Sequence, residues 1–386
     1  MKMKTLNITM LFHYLDSGIV GKDMFLVSKY LGGMLDANVD YVFPKAEHNK
    51  QFSGVYRGVN MIPIKSKSKY EATIWSEKEM FWYLIRNAKK IDVLQLFWMN
   101  RRNLVFSWVY KKINPTGIVY IKADMNSVPV MGDGLKGWIK GMLYKSIDIL
   151  SVETKNNYDE IKAGCCGDYL KNVVEWMPNG HDSELRQNLH VIRKGYDKKE
   201  NLIITVGRLG SKEKNTQMLL DAVAKCNLRD YKVVLIGPVE HDFEPYVNKY
   251  FKDNPRLAEK VLFTGPIYDK KELWEWYNRA KIFCLTSTFE CMAQLYSEAL
   301  AFGNYILTTP VTGAKEITDN EELGKFIAFD SSTQLSNELQ KLIDDDSRLK
   351  NTIPKAFKLS DEVFNWPSLV VTISDKIKKI IKNREK

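Results

Sequence analysis

A chain of 386 residues with 45% apolar and 27% charged side chains is long enough for two α/β domains with separate cores. It is too evenly mixed to be disordered or fibrous. The net charge of +10 is uneven: residues 1–185 carry 25 basic against 19 acidic side chains, and residues 376–386 carry six basic side chains against Glu385. This balance suits nucleic acid, anionic lipid headgroups or a phosphorylated acceptor without choosing among them, and solvated lysines on helix faces also account for it.

Met1-Lys2-Met3-Lys4 precedes a short apolar run that Asn7 and Thr9 interrupt, which predicts a first strand rather than a signal-peptide core. The sequence has no run of about 18 apolar residues, so a soluble or peripheral protein is expected. Strand-like runs follow at 7–13, 38–43, 92–97, 117–122, 147–152 and 173–177, and again at 202–206, 232–236, 261–263, 282–285, 305–308 and 325–329. Short apolar runs separated by helix-length segments predict parallel sheets covered on both faces, hence two Rossmann-like, doubly wound α/β domains facing a central cleft. The expected division is 1–185, 186–360 and a terminal segment 361–386, with the boundary in the polar stretch 179–200. Leu369, Val370, Ile373, Ile377, Ile380 and Ile381 recur at helical spacing and predict an amphipathic terminal helix. Ligand is expected at the carboxyl ends of the strands.

Five cysteines, an odd number without a C-x-x-C pair, point to a reducing and therefore cytoplasmic location. The histidines are scattered without ligand spacing, so no metal site is predicted.

The chemistry concentrates in Phe289-Glu290-Cys291-Met292-Ala293-Gln294-Leu295-Tyr296-Ser297-Glu298, which follows a strand and a Thr286-Ser287-Thr288 turn. The pattern predicts Glu290 in a loop and Glu298 on the next helix. Eight helical residues span roughly 12 Å, enough for one carboxylate at each end of a nucleotide sugar. Free N–H groups at the helix start suit a diphosphate. Val206-Gly207-Arg208-Leu209-Gly210-Ser211-Lys212-Glu213-Lys214 reads as a strand end turning through glycines, with Arg208 and Lys214 set to face phosphate oxygens. Phe263-Thr264-Gly265 and Pro178-Asn179-Gly180 add two further turns. Asp344-Asp345-Asp346 imitates a metal-binding D-x-D, but its place after a helix at 333–343 makes it a polar helix end.

This order of motifs resembles the family 4 (group 1) glycosyltransferases, retaining enzymes of the double-Rossmann GT-B fold. The resemblance implies that Glu290 contacts the transferred sugar, that Glu298 holds the ribose hydroxyls, and that Arg208 and Lys214 bind the diphosphate. It implies that Gly265, Pro266 and Ile267 meet the nucleobase and that Cys291, Met292 and Ala293 line sugar and phosphate. The family usually has Gly-Phe-Gly at the last three positions, so a more crowded sugar pocket is expected here. Gly18, in Ser17-Gly18-Ile19-Val20-Gly21-Lys22, matches in outline a glycine turn that approaches the diphosphate or acceptor through its backbone. The His-Asp pair that many relatives place after the fourth strand is absent. Asp124 or Lys122 takes that place, or Asp124 is a helix cap or part of a plain loop.

The implied reaction is metal-independent transfer, with retention, from a UDP- or GDP-sugar co-substrate to a glycan or lipid-linked acceptor in cell-surface polysaccharide or lipopolysaccharide synthesis, with no resident cofactor and no nucleic acid partner. In the family's fold the terminal helix returns to the N-terminal domain. Its lysines, together with residues 80–90, Arg101-Arg102 and Lys136-Gly137-Trp138-Ile139-Lys140, would then form one side that docks on the inner face of an anionic membrane. A nucleotide-sugar epimerase of the same fold and a silent donor-binding partner in polysaccharide assembly remain as alternatives. A dinucleotide-binding enzyme would need G-x-G-x-x-G after strand one, which this sequence lacks.

Overall fold

The computed structural model describes residues 5–66, 74–132 and 134–384; the expectations for Met1 to Lys4 and for Glu385 and Lys386 fall outside them. The chain divides into two units, Met1–Pro178 with Trp366–Lys386, and Asn179–Asn365. The division falls at Pro178/Asn179 and Asn365/Trp366, ahead of the expected 185 and beyond the expected 360. The terminal helix is counted with unit 1.

Unit 1 runs β1 (Asn7–Leu11), α1 (Asp23–Leu35), β2 (Asn38–Pro44), β3 (Gly54–Tyr56), β4 (Val59–Ile64), α2 (Ile74–Asn87), β5 (Val93–Phe97), α3 (Arg101–Ile113), β6 (Ile118–Ala123), α4 (Gly134–Tyr144), β7 (Ile149–Val152), α5 (Lys155–Ala163), α6 (Asp168–Val173) and β8 (Val174–Trp176). Unit 2 runs α7 (Ser183–Asn188), β9 (Leu202–Val206), α8 (Thr216–Lys225), β10 (Lys232–Ile236), α9 (Glu244–Asp253), β11 (Val261–Gly265), α10 (Lys270–Arg279), β12 (Ile282–Leu285), α11 (Gln294–Ala301), β13 (Tyr305–Thr308), α12 (Ala314–Ile317), β14 (Gly324–Phe326), α13 (Ser332–Asp344) and α14 (Ser347–Glu362). The last helix, α15 (Trp366–Arg384), closes unit 1.

Among the described residues the sheet of unit 1 has the order β3-β4-β2-β1-β5-β6-β7-β8 and that of unit 2 the order β11-β10-β9-β12-β13-β14. All neighbours pair in parallel except β3 with β4. That edge hairpin has no counterpart in the strands read from the sequence. Its turn, Arg57-Gly58, places both residues at positive φ, the geometry of the favoured two-residue hairpin loop. The strand expected at 325–329 is shorter and lies at Gly324–Phe326.

Strand order reverses between β1 and β5 in unit 1 and between β9 and β12 in unit 2, and such switch points open a crevice at the carboxyl ends of the strands. Each sheet is covered on both faces. In unit 1, α1 and α15 pack over a cluster that takes Ile8, Met10 and Tyr120 from the sheet. The opposite face, with Leu11, Leu94 and Ile121, is covered by Met80 and Leu84 of α2, Leu104 and Phe106 of α3 and Tyr144 of α4. From α15, Trp366, Val370, Ile373 and Ile377 are fully buried, each worth about 1.5–3 kcal/mol. α15 and the α2–α3–α4 layer therefore lie on opposite faces of the sheet, so the terminal lysines do not share one side with residues 80–90 and 136–140 as expected.

Candidate active site

The first candidate site is the switch point of unit 2. β9 is followed by Gly207, whose N–H donates to the Ile236 carbonyl at 2.9 Å, and the loop beyond it runs to Asn215, the left-handed residue that opens α8. Gly237, at the end of β10, lies so close that a Cβ would fall 1.9 Å from the Gly207 carbonyl oxygen. Two glycines are needed for these loops to approach each other. The loop after β12 is fastened across the switch point: the Thr286 hydroxyl donates to the carbonyls of Lys214 (3.1 Å) and Asn215 (2.9 Å), and the Thr288 N–H donates to the Glu213 carbonyl at 2.8 Å. The two loops are thus one hydrogen-bonded body.

On that body the Lys214 ammonium donates to Glu290 Oε1, which also accepts from the Ser287 hydroxyl at 2.7 Å. Side-chain exposures of 19% and 13% make this a half-buried pair, less screened than a surface ion pair. The sequence placed Lys214 at a phosphate and Glu290 at a sugar; the structure joins them. Arg208 is more exposed and sits 3.5 Å from Glu213.

The second glutamate is held in the same way. Glu298 is 1% exposed on α11 and accepts from Lys270, the first residue of α10, whose start is capped by Asp269 accepting the Glu272 N–H at 2.8 Å. Lys270 was not singled out in the sequence, because Asp269-Lys270-Lys271-Glu272 reads as an ordinary charged helix start. The buried Tyr277 hydroxyl, near Glu298, is pushed well above its ordinary range, by burial first and by the carboxylate second.

Glu290 lies in the non-helical loop 290–293 and Glu298 on α11, which begins at Gln294, as the pattern predicts; the span between the two carboxylates is therefore not the eight helical residues reckoned from the sequence. Met292 is not at the surface of this loop. Its side chain is buried in the core of unit 2, against Gly313, where a Cβ would meet Met292 Sδ at 2.5 Å and the Cys291 carbonyl at 2.8 Å. The Met292 carbonyl accepts from the buried Asn179 amide at 2.8 Å, which ties the Pro178-Asn179-Gly180 turn to this loop. Cys291 and Ala293 are partly exposed.

Gly265 closes β11 with φ +73, its carbonyl accepting from the Gly237 N–H at 3.0 Å. Pro266 follows it, and Ile267 packs against the same core as Met292. The Asp344 to Asp346 run serves the helix end: Asp344 pairs with Arg229 at 2.5 Å, Asp345 accepts the Ser347 N–H at 3.0 Å, and Asp346 accepts from the Tyr196 hydroxyl. With Asn201 and Tyr231, which lead into β9 and β10, these residues line a polar cavity of about 330 Å³ at the amino ends of the strands, away from the switch point.

The switch point of unit 1 is built differently. Lys122, at the end of β6, is fully buried and bridges Glu153 (2.5 Å) and Asp23 (3.1 Å). Burial opposes its charge, but the two carboxylates raise it above its ordinary range. Burial pushes the Glu153 carboxyl well up, against Lys122 and with Asp23 and Asp124 adding to the rise. One lysine thus faces two carboxylates in a buried site, and burial disfavours the charged form of Glu153 most. Lys122 is thereby committed to an internal bridge. Asp124 follows it, partly exposed.

Nearby, His13 and Trp98 leave β1 and β5 with their rings 5.6 Å apart. Burial, and then Arg102, lower the histidine to about 4. Trp98 has a left-handed φ of +72, rare for an aromatic residue. Gly18 adopts ordinary helical backbone (φ −74, ψ −37) at the start of a 3₁₀ turn, so its conformation does not require glycine.

Residues 189–359 match the family model "Glycosyl transferases group 1". A curated relative, the N-acetylgalactosamine-N,N'-diacetylbacillosaminyl-diphospho-undecaprenol 4-alpha-N-acetylgalactosaminyltransferase of Campylobacter jejuni, is 24% identical over 246 residues, 63% of this chain and 62% of the relative. The chain thus spans under two thirds of that relative's length. Among solved structures, sucrose-phosphate synthase from Thermosynechococcus elongatus superposes with a TM-score of 0.71 at 14% identity, covering 98% of this chain and 100% of that one. A glycosyltransferase from Rickettsia africae gives 0.72 at 16%, with the same coverage. Anabaena HepE, solved with UDP and glucose, gives 0.67 at 17%, also with 98% and 100% covered. The two parallel-sheet units are those of the GT-B fold.

Proposed function

Unit 2 carries a group 1 glycosyltransferase domain on a GT-B scaffold, and from that premise we propose that the protein moves a sugar, with retention, from a nucleoside diphosphate donor to a hydroxyl of a glycan or lipid-linked acceptor. The observation that carries this reading is the Lys214–Glu290 pair, held by Ser287 where β9 and β12 diverge. On this reading a cation for the departing diphosphate and a carboxylate for the sugar hydroxyls stand side by side, on loops bonded to each other through Thr286 and Thr288.

The bond from the anomeric carbon to the diphosphate oxygen breaks, and a bond to the acceptor oxygen forms on the same face. The acceptor proton leaves on the diphosphate. Lys214 and Arg208 compensate the charge that builds on the leaving oxygens, a task that needs no metal ion. Glu290 orients sugar hydroxyls rather than forming a covalent intermediate. Glu298, freed from Lys270, accepts from the ribose hydroxyls, while Gly265, Pro266 and Ile267 border the base. UDP is the first candidate, since HepE was solved with it. The name of the Campylobacter relative describes an α-linked sugar added to a diphospho-undecaprenol-borne glycan. By that analogy the acceptor here is polyprenyl-linked and the enzyme works on the cytoplasmic side of a membrane in cell-surface polysaccharide synthesis.

The test is donor turnover by wild type, Glu290→Gln and Lys214→Met, with and without acceptor, in EDTA. We expect acceptor-stimulated release of nucleoside diphosphate by wild type and a loss of about 10²–10³-fold in either variant. Wild-type turnover in both variants would sink the assignment. Conversion of the donor sugar without acceptor would favour an epimerase, and donor binding without turnover a silent partner.

A further inference from the structure

Three helices cover one face of the sheet in unit 1, α2 packing on α3 and α3 on α4. Their inner sides supply the core beneath. Their outer sides are not the polar surface that such helices normally present. On α4, Leu135 is 71% exposed, Trp138 66% and Ile139 40%, and Val130 in the preceding loop is 72% exposed. Positions 135, 138 and 139 fall on one face of the helix. On α3 the outward stripe at the same spacing is Arg101, Val105, Trp108 and Lys112, with the Lys112 ammonium 5.5 Å from the Trp108 ring. Neither α3 nor α4 contains an acidic residue. Lys140 donates to the Val130 carbonyl at 2.7 Å, which holds the loop against the helix, and Lys136 and Lys145 are exposed around the apolar face.

We propose that the outer face of α3 and α4 is a docking surface for an anionic lipid bilayer. α4 lies in the plane of the interface, with Leu135, Trp138 and Ile139 entering the acyl boundary and Lys136, Lys145, Arg101 and Lys112 meeting lipid phosphates. Tryptophan suits this depth because its ring is apolar and its N–H is wet. Lysine stems extend along the apolar surface while their ammonium groups stay in the headgroup layer. Charge complementarity selects the occupant. A second copy of this face would set Arg101, Lys112 and Lys136 against their own kind, which disfavours a dimer. The lysines of α15 lie on the other side of the sheet and are not part of the surface. The proposal rests on the reading of a lipid-linked acceptor, since a substrate held in a membrane requires the enzyme to meet it there.

Vesicle flotation with the full chain tests it, using phosphatidylcholine alone and mixed with phosphatidylglycerol. Binding is expected only with the anionic lipid and should weaken in added salt. Leu135→Ser/Trp138→Ser should lower partitioning about tenfold or more, through lost apolar burial, at unchanged melting temperature because both side chains are solvent-exposed. Quenching by brominated lipid, measured as the difference between wild type and Trp138→Phe, should locate that ring in the bilayer. Three results would overturn the proposal: no binding by wild type, equal binding by the double variant, or a wild-type dimer in light scattering that the double variant abolishes. Flotation needs no turnover, so failure of the transferase reading would show as inactive protein that still binds vesicles.

Discussion

The switch points of the two units hold similar groups in opposite ways. In unit 2, Lys214 with Glu290 and Lys270 with Glu298 are simple pairs, each with a lysine that reaches solvent. In unit 1, Lys122 is sealed from solvent between Glu153 and Asp23 and has nothing left to offer. A pair whose lysine is partly solvated suits the exchange of partners proposed above for Glu290 and Glu298, and a sealed one serves cohesion. Burial decides between the two outcomes, because desolvated charges are held by each other and exposed ones by whatever arrives.

The largest expected effect probes the sealed cluster. Lys122→Met leaves Glu153 and Asp23 facing each other without a cation, and removing one partner of a buried pair typically costs about 3–5 kcal/mol. Denaturant unfolding should show a loss of that size. Lys214→Met should cost less, about 1–2 kcal/mol, because its pair is partly solvated and Glu290 keeps the Ser287 hydroxyl. If Lys214→Met destabilised as much as Lys122→Met, the contrast between a binding pair and a cohesive one would fail.

A middle effect comes from two histidines, one in each unit. Burial, reinforced by nearby arginines, holds both His13 and His181 at about 4, below the ordinary 6.5. The folded protein keeps them neutral while the unfolded chain takes up protons. Their contribution to stability is therefore fully present above about pH 6.5 and is lost as pH falls from there toward 4. His181 is 1% exposed, its Nδ1 lying between the Phe364 carbonyl and the Ser360 hydroxyl. Its share is on the order of 2–3 kcal/mol. Melting curves from pH 7.5 to 4.5 (values of about this range bracket the ordinary histidine titration) should fall less steeply for His181→Asn than for wild type. The partly exposed His13 should give the smaller change in His13→Gln, and equal slopes in all three proteins would refute the assignment.

Much of this was legible in the sequence, and what was missed has physical causes. Parallel strands buried on both faces are continuous apolar runs, so β9, β10, β12 and β13 stand where the sequence set them. β3 escaped because all three of its residues are exposed and it has no apolar face to reveal it. Arg57-Gly58 was the one available signal. Glu290, Arg208 and Lys214 were readable as turn residues beside strand ends, and Glu298 as a residue of the helix that follows. Lys270 was not, since its partner lies 28 residues away on another helix. The Lys122–Glu153–Asp23 cluster joins three separate elements and leaves no local trace.

Gly18 gives the smallest prediction. A glycine after a first strand suggests a backbone pressed against phosphate, yet here φ is −74, which any residue adopts. An added Cβ would meet only Asp16 Oδ1, at 3.2 Å. That carboxylate is tethered by the Ile19 N–H at 2.8 Å and the Tyr14 hydroxyl at 2.6 Å, so it can yield by only a few tenths of an ångström. The mild clash opposes the gain from replacing glycine in a helical conformation, which is worth roughly 0.5–1 kcal/mol. Gly18→Ala should therefore change stability by less than about 1 kcal/mol in either direction, with donor turnover close to wild type. A large fall in turnover at unchanged stability would mean that ligand passes where the alanine methyl stands, and would restore to Gly18 the close backbone approach that its sequence context suggested.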